Sequence, residues 1–120
     1  MLQARFVISQ HYDNPQKPEH FDLMLEKDGM LKTWSIESPD FDNELSAQQI
    51  FDHRLTYLEY EGWIDKQRGQ VKIFDKGCYT SDVWTEIEIH ICLKGKLFKN
   101  IKLKLHRNDL TNNSWRIVKV

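Results

Sequence analysis

The chain of 120 residues carries 17 lysines and arginines against 18 aspartates and glutamates, a formal net charge of −1. Such balance excludes a molecule that embraces nucleic acid over its whole surface and confines any polyanion to a local patch. The length suits one domain, residues 1–120, able to bury roughly 65% of its unfolded surface without disulfide staples.

Cys78 and Cys92 match no paired metal-binding spacing, and a reduced pair is expected. No apolar run approaches the ~20 residues of a membrane helix, and "MLQARFVISQ" lacks the apolar core of a signal peptide. The expectation is a cytoplasmic, monomeric protein with no membrane partner.

Period-two alternation dominates. "RFVIS" (5–9) is a first strand, and "YDNPQKPE" after it is a loop, since its two prolines forbid regular pairing. In "HFDLMLE", Phe21, Leu23 and Leu25 face one way, and His20, Asp22, Met24 and Glu26 the other. Asp28-Gly29 signals a hairpin to "MLKTWSI". "ESPDFDNELS" reads as loop, and "AQQIFDHRLTYLEYEG" is undecided between a short helix and a turn. "QVKIF" is a strand ended by a turn at "DKG"; "WTEIEIHICL" points Ile87, Ile89, Ile91 and Leu93 inward; "NIKLKLHR" repeats the pattern with Ile101, Leu103 and Leu105; "SWRIVKV" closes the chain. About seven strands with short turns predict a mainly β domain with little helix, a small antiparallel β-barrel or sandwich, and the barrel is preferred because closure removes edge strands.

His90 and His106 lie on polar faces among Glu and Lys and are set aside. His20 and Asp22 share a face within ~7 Å along one strand, and His11 ends the preceding strand, where the loop could fold it back over them. Two neutral imidazoles and a carboxylate suit Mn²⁺ or Zn²⁺ with open positions for water or substrate; a solvated strand face is the alternative. In "DHRLTY", His53 and Tyr57 would share a face of a helical turn and could donate to a phosphate oxygen, although a half-buried Tyr57 needs no function.

The order "FVISQH", "HFDLMLEKDGMLKTWSI", "DHRLTYLEYEGWI", "VKIFDKGCYT" and "SWRIVKV" resembles the 3′-phosphoesterase module of bacterial ATP-dependent DNA ligase D. The resemblance implies a Mn²⁺-binding β-barrel that removes a 3′ ribonucleoside and then the 3′ phosphate from DNA or RNA–DNA ends. It puts the metal ligands on His11, His20 and Asp22, and the phosphate-facing pair on His53 and Tyr57. Possible partners are a DNA ligase, a polymerase or an end-binding protein.

Departures thin the phosphate clamp. The family arginine two residues past the aspartate is Met24 here, its proline-lysine-glycine segment reads "ESPD", and the basic residue typical before the "DH" segment is missing, near Leu45. The loop after His11 is longer and the one after "EG" is cut to "DKQRGQ". Arg5, Lys32 and Arg54, with Lys17 and the hairpin "KGKLFKNIKLK", are candidate replacements for substrate binding. The alternatives are a catalytically weakened or inactive DNA-end or ligase/polymerase-binding module of the same fold, and a β domain with an unrelated ligand.

Overall fold

A computed structural model describes residues 4–120, so the first three residues of the expected 1–120 domain lie outside the described residues. Nine strands follow in order: β1 (Ala4–Tyr12), β2 (His20–Lys27), β3 (Met30–Ile36), β4 (Leu45–His53), β5 (Gly62–Asp65), β6 (Gly69–Trp84), β7 (Glu88–Gly95), β8 (Ile101–Arg107) and β9 (Ser114–Lys119). All pairings are antiparallel. The sheet order β1-β2-β3-β4-β9-β8-β7-β6 closes through β1–β6 into an eight-stranded barrel, as the alternation predicts, with β5 laid against the start of β6 outside the ring. No helix among the described residues is long and apolar enough to cross a membrane.

Inward-facing residues at every second position fill the barrel. Phe6 and Ile8, Leu23 and Leu25, Trp34 and Ile36, Ile89, Ile91 and Leu93, Leu103 and Leu105, and Trp115 and Ile117 form one contiguous core. Trp34 meets Trp115 edge-to-face at 5.6 Å, filling volume that aliphatic residues alone would leave open. The β2–β3 turn has positive φ at both Asp28 (55°) and Gly29 (80°), the backbone that the Asp-Gly signal requires.

The polar side of β2 is not a solvated face. Met24 packs there with Val7, Leu31 and Leu58 in a second cluster on the outside of the barrel. Its cover is the undecided segment, which continues β4 to His53 and then makes a single 3₁₀ turn, Leu55–Leu58.

Two local readings are corrected. The "DKG" turn does not form: β6 runs through it, paired with β1 from Tyr12↔Gln70 to Ala4↔Tyr79, with a bulge where Ile8↔Asp75 gives way to Ser9↔Ile73. Pairing on both flanks outweighs turn propensity, and Asp75 is instead a buried clamp. Its Oδ1 accepts the backbone N–H groups of Lys76 (2.9 Å), Lys96 (2.8 Å) and Leu97 (3.1 Å), and Oδ2 accepts that of Phe98 (3.0 Å). Ile87 does not join Ile89 inside. It is 44% exposed, in the turn before β7, where Thr85 Oγ1 accepts its N–H.

Asp75→Ala leaves the β7–β8 turn amides without their acceptor. The expected loss is about 2 kcal/mol or more of folding free energy, measured by urea unfolding; an unchanged midpoint would show that the clamp is dispensable.

Candidate metal centre

Strand register assembles the site. His11 and His20 are direct cross-strand partners, and Asp22 stands opposite Ser9, so all four side chains share the outer face of the β1–β2 pair. The long loop therefore has no need to fold His11 back; β1 continues to Tyr12 and pairing alone delivers it. The two imidazoles stack, centroids 4.7 Å apart and 16° from parallel. One ligand atom from each of His11, His20 and Asp22 lies within 4.8 Å of the other two.

The hydrogen bonding points to a cation. Asp22 is 1% exposed. Its Oδ2 lies 2.8 Å from His11 Nε2 and its Oδ1 3.7 Å from His20 Nε2, yet His11 Nε2 and Asp22 Oδ1 are both buried without a hydrogen-bond partner. The atoms are close but not directed at one another, as expected of ligands sharing a third atom. A buried carboxylate left in this condition costs several kcal/mol. His20 Nδ1 is 3.2 Å from the Pro18 carbonyl, which can only accept, so that nitrogen carries the proton and Nε2 presents its lone pair. This donor set fits a divalent transition metal.

A cleft of about 180 Å³ adjoins His11 and is lined also by Met24, His53, Arg54, Tyr57 and Arg68. His53 and Tyr57 come together, as expected, but from a strand end and a 3₁₀ turn rather than one helix; their rings meet edge-on at 5.5 Å. Thr33 donates its hydroxyl hydrogen to the Leu31 carbonyl, so its oxygen accepts from His53 Nδ1 (3.0 Å), which also lies 3.1 Å from the Phe51 carbonyl. That pins the proton on Nδ1 and leaves Nε2 as the basic atom. Burial lowers the His53 pKa from its ordinary range, more than the nearby Asp22 charge raises it.

The candidate substrate-binding residues divide. Arg54 lines the cleft. Lys32 does not line it, and donates to the cleft residue Asp52 at Oδ2 (2.8 Å). Arg5 is not brought there: it lies near the opposite end of β1, held by Glu26 through its Nη2 at 2.6 Å. Arg68 is the cation that sequence reasoning missed. At Gly69 (φ +81°) a Cβ would sit 2.4 Å from the Tyr12 carbonyl oxygen, so only glycine allows the β5–β6 hairpin this close to the end of β1. Asp65 steadies Arg68 by accepting from its backbone N–H (2.7 Å) and its Nε (2.7 Å). Thr33 was within reach of sequence reasoning, since the Asp-Gly turn sets it opposite Met24, on the outer face. A larger hollow of about 780 Å³ elsewhere, between Ala4, Lys27, Tyr79 and Trp84, lies away from the three ligands.

The sequence pattern of the DNA ligase D 3′-phosphoesterase domain matches residues 10–119. The chain belongs to this family. It is 37% identical over 67 residues to the multifunctional non-homologous end joining protein LigD of Pseudomonas aeruginosa, covering 51% of this chain and 8% of that protein. It is 35% identical over 83 residues to LigD of Mycobacterium bovis and of Mycobacterium tuberculosis, 64% of this chain and 10% of each. The chain thus spans about a tenth of the length of these LigD relatives. Met24, two residues past Asp22, is 1% exposed and packs with Val7, Leu31 and Leu58.

Two measurements check the centre. Saturation with Mn²⁺ at a hundredfold excess over Kd stabilises the natural chain by about 2.7 kcal/mol, whereas Asp22→Asn gains little from Mn²⁺ and matches or exceeds the natural chain in EDTA; equal thermal shifts in both would remove Asp22 from the ligand set. In metal-free protein, the unfolded chain takes up a proton at His53 more readily than the folded one. The associated stability is therefore present above pH about 6.5 and lost as pH falls through the lower folded pKa. His53→Gln should accordingly lose less stability than the natural chain between about pH 7.5 and 5.5, read by urea unfolding.

Proposed function

We propose that this chain is a metal-dependent phosphoesterase that processes 3′ ends of DNA during end-joining repair, removing a terminal 3′ ribonucleoside and then the 3′ phosphate. The observation that supports it best is the buried His11–His20–Asp22 set, with orphaned ligand atoms, opening beside a cleft that carries His53, Tyr57 and two arginines. Membership of the phosphoesterase family supports the same reading.

In this proposal His11, His20 and Asp22 hold the ion, Mn²⁺ or alternatively Zn²⁺, which when bound supplies Lewis acidity to a phosphate oxygen. Arg54 and Arg68 bring positive charge to the non-bridging oxygens. His53, neutral and with Nε2 unprotonated, is placed to take a proton from the water that attacks phosphorus, while the Tyr57 hydroxyl donates to the leaving oxygen as its bond to phosphorus breaks. Arg68 takes over the role of the family arginine that Met24 cannot fill. The DNA-end substrate and docking to a ligase, polymerase or end-binding protein belong to the same proposal.

A DNA primer ending in one 3′ ribonucleotide, incubated with Mn²⁺, should be shortened by the natural chain. His20→Ala should slow the reaction by about a hundredfold or more, and Arg68→Ala by roughly ten- to a hundredfold. No shortening by the natural chain would leave a binding module of the same fold as the surviving reading.

A further inference from the structure

Phe51 is the exposed aromatic side chain whose position the barrel does not explain. It is 73% exposed, on the wall of the same cleft. Residues 47 and 49 of β4 face the barrel interior side, with Ala47 in the core and Gln49 Oε1 accepting from Trp115 Nε1. Strict alternation would send residue 51 the same way. Instead, the register shifts between Leu31↔His53 and Thr33↔Ile50, so that Phe51 and Asp52 together oppose Lys32. Such a bulge re-aims side chains. It lays the Phe51 ring flat on the His53 imidazole, centroids 4.9 Å apart and 11° from parallel.

One face of the ring is thereby used and the other is left to water. A ring serving only to prop His53 would gain by burying its second face, because apolar area left in water forfeits ~25 cal/mol per Å². Within the cleft the His53 ring in turn meets Tyr57 edge-on at 5.5 Å. Arg54 lies three residues beyond Phe51 on the same wall. A flat, open π-face beside a cleft lined by Arg54 and Arg68, whose Asp52 is already paired with Lys32, is complementary to a nucleotide, whose base can stack while its phosphate meets the arginines.

We infer that Phe51 is a specificity-determining platform on which the nucleobase next to the scissile phosphate stacks. The inference rests on the phosphoesterase reading for the identity of the ligand, and it makes the substrate class a nucleotide with an unpaired base rather than any phosphate ester. Stacking tolerates every base, so discrimination is between base and no base.

The test is binding, measured apart from turnover. A labelled single-stranded oligonucleotide ending in a 3′ ribonucleotide is compared, by fluorescence anisotropy in EDTA, with the same oligonucleotide ending in an abasic ribose. The natural chain should prefer the base-bearing end by roughly tenfold, Phe51→Trp should keep that preference, and Phe51→Ala should bring it close to one. Preference retained in Phe51→Ala, no preference in the natural chain, or equal weakening toward both oligonucleotides would each overturn the platform, the last by reducing Phe51 to a prop for His53. Mn²⁺-dependent cleavage of the same oligonucleotides is scored separately. Discrimination without cleavage removes the phosphoesterase reading and leaves the platform, and cleavage without discrimination does the reverse.

Discussion

A carboxylate buried between two imidazoles, with no N–H directed at its Oδ1, is the constraint around which this molecule is organised. Asp22 is closed off from water with its Oδ1 unpartnered, so a bound cation is the contact it lacks, and His20, its proton held on Nδ1 by the Pro18 carbonyl, presents its Nε2 lone pair toward the same carboxylate. The arrangement persists because β1 and β2 pair over six residues ending at His11↔His20, while their inner faces are locked into the barrel core through Ile8 and Leu23. Ligand positions fixed on paired strands lose little entropy on binding an ion, which favours a preformed centre over one assembled by loops.

The site lies on the outside of the barrel, where a strand face would ordinarily be wet. What dries it is the 3₁₀ turn after β4, whose Leu58 completes the cluster of Val7, Met24 and Leu31. The same segment supplies Tyr57, and the strand end before it supplies His53, so the covering element and the chemistry arrive together. Lower local dielectric strengthens every charge in the cleft and pushes His53 toward its neutral form. The apolar Met24 of β2 lies against the cleft, and its arginines are Arg54 and, on the β5–β6 hairpin, Arg68.

Much of this was legible along the chain because it is encoded at period two. The alternation of Phe21, Leu23 and Leu25 against His20, Asp22 and Met24 predicts both a strand and a shared polar face, and the Asp28-Gly29 turn sets the β2–β3 register. Where reading failed, a distant partner outvoted a local signal. "DKG" carries turn residues, but β1 and the β7–β8 turn hold it extended around Asp75. Ile87 keeps the alternation of its neighbours and still lies outside, because the turn made by Thr85 ends the ladder before it. Arg5 carries the charge a phosphate needs, yet six positions along an extended strand separate it from His11.

Side-chain type and period-two spacing carry the mainly β chain, its tendency to close, the shared face of His20 and Asp22 with His11 ending the preceding strand, and the four-residue spacing of His53 and Tyr57, since each is encoded within one strand or turn or between neighbours in the chain. Long-range packing sets the rest: Asp22 and Met24 on the polar face of β2 are buried, a bulge turns Phe51 outward, and Arg68 rather than Arg5 reaches the cleft. Those outcomes depend on pairings between segments tens of residues apart and on one close backbone approach at Gly69, and no local pattern of hydrophobicity or charge encodes such distances.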